Sequence, residues 1–214
     1  MSTTRTAEDL RKAERAAWQA QEVRHQIVHH ASELFTHYGF SKTNIGDIAG
    51  CCAMSPGNIY RYFKNKQAIG LAVVEAYFQM AQTAMETQLM LPGGGAEDRI
   101  RRFLTAGIGA MAQEVQHHPK IVELAEFLME DEQGLELLGA HIAWKREQIE
   151  ANLQAGVETG EIAPCDIRHT AATLLLALKI FFMPTTLIRW RDPDTILPEL
   201  SDILDLMFRG LRAR

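Results

Sequence analysis

Apolar residues recur along this chain with the period of a helix, and period-two runs of β-branched residues are almost absent. An all-α fold is therefore expected. Residues 7–22 are rich in Ala, Glu, Arg and Gln with little apolar face, so 1–23 reads as a helical or flexible arm, frayed or ordered only by a partner. From Arg24 a stripe begins at Ile27, Ala31, Leu34 and Phe35, and Tyr38-Gly39 closes it with glycine in the usual stop position. Asn44 caps a short second helix in which Asp47 sits near the positive end and Ile45, Ile48 and Ala49 face inward; it stops around 51–53. Ser55 and Pro56 restart the chain, the serine as cap and the proline at the first helical position, where its missing N–H costs nothing. Ile59 and Phe63 bury one side of this third helix, leaving Asn58, Tyr60, Arg61 and Tyr62 around the rest.

Asn65 caps a fourth helix over about 66–91, with Ile69, Val73, Tyr77, Met80 and Ala84 on its inner side, and Pro92 with the three glycines after it ends that helix. Further helices are expected at about 97–117, 119–131, 134–159, 166–190 with a kink or break near Pro184, and 195–211, so nine to ten in all. The one membrane-like stretch, 171–188, carries Lys179 and Pro184 in a length barely sufficient to span, and a helix buried internally or between subunits explains it better. Its Leu174, Leu175, Leu178, Phe181 and Phe182 make it apolar over much of its circumference. Leu200, Ile203, Leu204, Met207 and Leu211 line one side of the terminal helix. A small domain has room for one such helix in its core, so these two helices are expected to form a homodimer contact of four helices, through Leu174, Leu175, Leu178, Phe182 and the five residues of the terminal helix.

Charge sharpens this division. The net charge is −5, which looks wrong for a protein that binds nucleic acid, yet residues 1–66 hold nine Lys or Arg against six Asp or Glu, and 67–214 hold thirteen against twenty-one. A basic front on an acidic body suits a compact DNA reader attached to a domain that phosphates repel. Cys51, Cys52 and Cys165 are too few for a disulfide framework and form no zinc pair, and a reducing cytosol fits them. The charged N-terminus is no secretory signal. His25 and His29 share a helical face without further ligands in view, while His29-His30 and His117-His118 diverge and His141 and His169 stand alone, so no metal is expected. The acidic run Glu123, Glu126, Glu130, Asp131, Glu132 and Glu136 reads as a solvated face. No nucleophile elbow, P-loop or dinucleotide fingerprint occurs, so neither an enzyme nor a cofactor is expected.

Two short helices a turn apart, the second exposing polar and aromatic side chains, have the geometry that enters a major groove. Phe35, Gly39, Phe40, Thr43, Ile45, Ile48, Ala49, Ser55, Gly57, Ile59, Tyr60, Tyr62, Phe63 and Lys66 stand at the marked positions of a joint pattern across 24–70. That stretch resembles the N-terminal DNA-binding domain of the tetracycline-repressor family. Beyond it the resemblance rests on helical layout and on the phrase GVETGEIAP before a long apolar helix. It implies a three-helix helix-turn-helix domain over 24–70, joined by the fourth helix to an effector-binding and dimerisation domain over 71–214. It further implies a phosphate contact at Thr43, groove-facing positions at Ser55, Gly57, Asn58 and Tyr60, and backbone clamps at Tyr62 and Lys66. Physical chemistry alone favours Lys66, because its ammonium and the free amides after the Asn65 cap can approach one phosphate; Arg61 and Lys64 add charge nearby. Pro56 departs from the family pattern and removes any longer polar contact there. Cys51-Cys52 also departs, with no role assigned.

The expected partners are thus a double-stranded DNA operator, a second copy of the chain, a small-molecule effector and no membrane. Phe103, Met111, Phe127, Met129, Trp144, Phe181 and Met183 offer adaptable apolar surface for an apolar or amphipathic effector. A repressor released from a palindromic operator by that effector is the leading reading. An activator of the same fold, and a helical carrier or enzyme whose front domain no longer regulates transcription, are the alternatives.

Overall fold

In the computed structural model, which describes residues 7–187 and 193–213, ten α-helices and two short 3-10 segments make up the regular structure of the described residues. They fall into two units, Met1–Val73 and Val74–Arg214.

In the first unit, α1 (Ala7–Tyr38) is one continuous helix of 32 residues. Of the two forms expected for the arm, the described part takes the helical one, running into the first helix without a break at 23 and 24, and residues 1–6 lie outside the described residues. The reason is local: no Gly or Pro interrupts 7–38, and Ala, Glu, Arg and Gln propagate helix well. Gly39, at φ 96°, ends it. α2 (Ile45–Cys51) carries a capping box in which Asn44 accepts from the Asp47 amide while the Asp47 carboxylate accepts from the Asn44 amide. α3 (Pro56–Ile59) starts from the Ser55 cap with proline in its first turn. Between them Ala53 takes a left-handed φ of 52°, a conformation that costs an L-residue about 1–2 kcal/mol. Ile27, Ala31, Phe35, Ile48, Ile59 and Phe63 form the core beneath these helices.

α4 (Lys66–Met90) begins where the Asn65 side chain accepts from the Ala68 amide. Ile69, Val73 and Met85 are buried along it, but Met80 and Ala84, expected on its inner side, are exposed. In the second unit its inner side is set by Met85, which lies so close to Gly107 of α5 (Ala96–His117) that a Cβ there would come within 2.6 Å of the methionine sulfur. α5 packs against α7 (Glu132–Glu158), α9 (Pro184–Leu187) and α10 (Pro193–Arg209), and α6 (Val122–Glu130) and α8 (Ile167–Ala177) pack on α7. The helix expected over 166–190 does break before Pro184, as expected, but it also breaks earlier, giving three pieces: α8, a 3-10 turn at Lys179–Phe182, and α9, with 188–190 outside the described residues. Leu178 leaves helical geometry at φ −92° and ψ 2°, and Met183 is extended, as the residue before a proline must be. The GVETGEIAP segment ties the unit's ends together: Glu161 accepts from the Ala96 and Glu97 amides at the start of α5, and Arg212 pairs with Glu97. No described helix is long and apolar enough to cross a membrane.

Candidate functional site

The helix-turn-helix of the first unit is built around two inward residues, Ile59 and Phe63, so the intervening side chains must leave on other faces. Ser55, Gly57, Tyr60, Arg61 and Lys64 are exposed, Tyr60 to 55%, and Asn58 and Tyr62 are half-buried. The Ser55 hydroxyl caps the Asn58 amide at 3.3 Å, and Arg61 Nη1 leans on Asn58 Oδ1 at 3.5 Å, which pre-orients that amide side chain. Gly57 presents no Cβ to a surface lying against α3. The cluster thus combines hydroxyl, amide and two cations around a close-approach position, the inventory from which base edges and phosphates are contacted.

Thr43 and Lys66, expected to touch phosphates, are turned inward. Thr43 is 2% exposed and its hydroxyl donates to the Gly39 carbonyl at 2.9 Å, so reaching a phosphate would break a buried hydrogen bond. The Lys66 ammonium donates to the Phe40 carbonyl at 2.9 Å and the Thr43 carbonyl at 3.1 Å and lies over the Phe40 ring. Both side chains therefore lash the loop that leads from α1 into α2. A second strap escaped sequence reasoning: Arg24 Nη1 donates to the Tyr62 carbonyl at 2.9 Å, and its guanidinium stacks 4.0 Å above the Phe63 ring. It fixes the turn that follows α3, and no local pattern signals it, since 38 residues separate donor and acceptor.

Of the residues expected to line an effector pocket, Phe103 and Trp144 do meet, with ring centres 5.6 Å apart. Phe181 is buried, Met111, Phe127 and Met183 are half-buried, and Met129 is 48% exposed and so faces away from the interior of the second unit. Trp144 also lies against His141, whose ring stacks on Phe78 at 4.2 Å and 2°. Lys145 Nζ sits 3.9 Å from the Phe182 ring centre. His141 and Lys145 were not anticipated; the available signal was their position eight and four residues ahead of Ile149 on the buried row of α7.

Leu174, Leu178, Leu200 and Leu204, expected at a dimer contact, are buried in the chain's own core and have no surface left for a second subunit. α8 and α10 show outward instead Leu176 and Leu206, each 71% exposed, and the 3-10 turn after α8 shows Ile180. Leu175, Phe182, Ile203, Met207 and Leu211 are partly exposed. Among the described residues, a metal could draw three donors from His29, His30 and Glu33 on α1, an exposed set in which His30 and Glu33 already bond each other at 3.1 Å.

Residues 27–73 match the family model described as bacterial regulatory proteins of the tetR family, and 96–200 match a tetracyclin repressor-like C-terminal domain. Among curated relatives, the HTH-type transcriptional regulator YerO of Bacillus subtilis is 29% identical over 48% of this chain and 35% of its own length. UidR of Escherichia coli, also an HTH-type transcriptional regulator, is 36% identical over 26% of this chain and 29% of its own. The chain thus spans about a third of the length of these relatives. Among solved structures, a TetR transcription regulator from Haloarcula marismortui superposes with a TM-score of 0.70 at 14% identity, covering 90% of this chain and 99% of that one. A TetR/AcrR regulator from Thermobifida fusca gives 0.63 at 22% identity, covering 85% and 95%. At these identities the likeness is one of fold.

Proposed function

Because the chain belongs to the tetR family of bacterial regulatory proteins, we propose that it is a sequence-specific transcriptional regulator, a homodimeric repressor that occupies a palindromic operator and leaves it when a small effector binds the second unit. The observation that carries this reading is the exposure of Ser55, Gly57, Tyr60, Arg61 and Lys64 around a buried Ile59 and Phe63, within the segment that matches the family model. Gly57, Asn58 and Tyr60 read the groove in this proposal. Arg61, Lys64 and Tyr62 hold the backbone, while Thr43, Lys66 and Arg24 act as positioning residues that keep α2 and α3 at their working angle. Two copies are needed because a single short recognition helix has little specificity, whereas two related by symmetry read both halves of a palindrome. The exposed Leu176, Ile180 and Leu206 supply apolar surface for that pairing. The effector acts by binding the DNA-incompetent arrangement more tightly than the competent one, since equal affinity for both shifts nothing.

The test is selection of bound fragments from the source genome. A few strongly enriched sites sharing an inverted repeat are expected, and Asn58→Ala or Tyr60→Ala should change the ranking of operator variants. Absence of any enriched sequence over random fragments would overturn the proposal.

A further inference from the structure

The buried row of α7 contains two polar side chains where aliphatic ones would pack. His141 and Lys145 continue the spacing of Ile149 and Leu153, and Lys145 keeps only 5% of its surface. Its ammonium has the face of Phe182 for company, and no carboxylate pairs with it among the described residues. A ring face returns about 0.5–2 kcal/mol to a cation, whereas desolvating an ammonium costs several. No carboxylate of the described residues therefore balances the charge, and the ammonium nitrogen is not sealed from solvent, so a ligand can reach it. His141 is similarly placed: Gln82 Nε2 can only donate, so at 3.3 Å the His141 Nδ1 accepts and the proton sits on Nε2. One helical turn thus offers a cation and a neutral N–H donor, with the His141 ring stacked on Phe78 and on Trp144, and Phe103 against Trp144. Phe182 belongs to the four-residue 3-10 turn between the end of α8 and the extended Met183, and 3-10 hydrogen bonds have poorer geometry than those of an α-helix.

We propose that the Lys145 ammonium and the His141 Nε2–H form the head-group site for a small carboxylate with a flat apolar body, which replaces the Phe182 ring over Nζ and lies against Trp144 and Phe103. This rests on the reading of the second unit as the effector domain and names the effector's chemical class. The positive charge rejects cationic ligands, and a neutral ligand leaves it unpaired. Burial supports the assignment: it pushes Lys145 down to about 8, and burial together with the Lys145 charge pushes His141 down to about 3, so at neutral pH the histidine is an uncharged donor beside a single cation.

The experiment titrates the full-length protein by calorimetry with benzoate, phenylacetate, 2-naphthoate and decanoate, each beside its neutral primary amide. At least one acid should bind about tenfold or more tighter than its amide, the value of one charge-assisted hydrogen bond. Lys145→Met should remove that preference and leave the amide's affinity within about twofold, and Lys145→Arg should keep it. If no acid outbinds its amide, or the preference survives in a folded Lys145→Met protein, the assignment is wrong. Operator binding is measured in parallel on the selected fragments. A protein that binds its operator but discriminates no acid overturns this assignment alone, and one that prefers the acid through Lys145 but binds no DNA overturns the proposed function alone.

Discussion

Lys145→Met should make the protein more stable at neutral pH, although it removes a side chain from the middle of α7. Burial lowers the lysine from its ordinary 10.5 to about 8. A tenfold change in acidity corresponds to about 1.4 kcal/mol, so carrying the charge costs the fold about 3 kcal/mol. Methionine is of similar length, fills the same slot without a charge, and forfeits the cation–π contact with Phe182, worth about 1 kcal/mol. The net gain is about 2 kcal/mol, or a rise of about 4–8 °C in Tm. The sign changes nothing below pH 8, where folded and unfolded chains both hold the proton and the full cost applies. Between about 8 and 10.5 the folded lysine is neutral while the unfolded one still binds its proton, so wild-type stability rises with pH relative to the variant. Above 10.5 the advantage of methionine is gone. His141, held near 3, stays neutral throughout this window. Paired thermal melts followed by circular dichroism at pH 7, 8, 9 and 10 read the difference directly. A variant less stable than wild type at pH 7, or a difference that ignores pH, would refute the claim that burying this lysine without a counter-ion costs the fold stability.

Three other outcomes follow from the same structure. Lys66→Met should lower stability by about 1–3 kcal/mol in urea melts by releasing the Phe40 and Thr43 carbonyls, while the salt dependence of operator binding keeps its slope; a slope shallower by about 0.9 would return this lysine to the phosphates. Ala53→Gly should raise stability by about 0.5–1 kcal/mol, because glycine relieves the left-handed turn between α2 and α3 at a smaller entropic cost, and a lower urea midpoint would contradict the turn's geometry. Leu176→Glu combined with Leu206→Glu should leave the fold intact by circular dichroism and shift sedimentation to monomers at micromolar concentration, whereas an undiminished dimer would move the interface off α8 and α10.

What the sequence made legible was whatever depends on near neighbours. The capping box of Asn44 and Asp47, the Ser55 cap and the Asn65 cap each close over three residues, so residue type and spacing suffice to place the starts of α2, α3 and α4. Lys66 shows where that stops. Its position after the Asn65 cap suits a phosphate and suits the Phe40 carbonyl equally, and the choice depends on a loop 26 residues upstream that only the folded chain brings near. The apolar helices fail for a related reason. When most of a helix's circumference is apolar, periodicity cannot separate Leu174, which faces the core, from Leu176, which faces out, because the side that packs is decided by neighbouring helices. The opposite error hid His141 and Lys145. Polar residue types are ordinarily assigned to solvent, yet these two stand in register with Ile149 and Leu153. A conflict between residue type and helical register carries information, since an unpaired polar group in a core lowers stability and persists where another demand on the protein outweighs that loss.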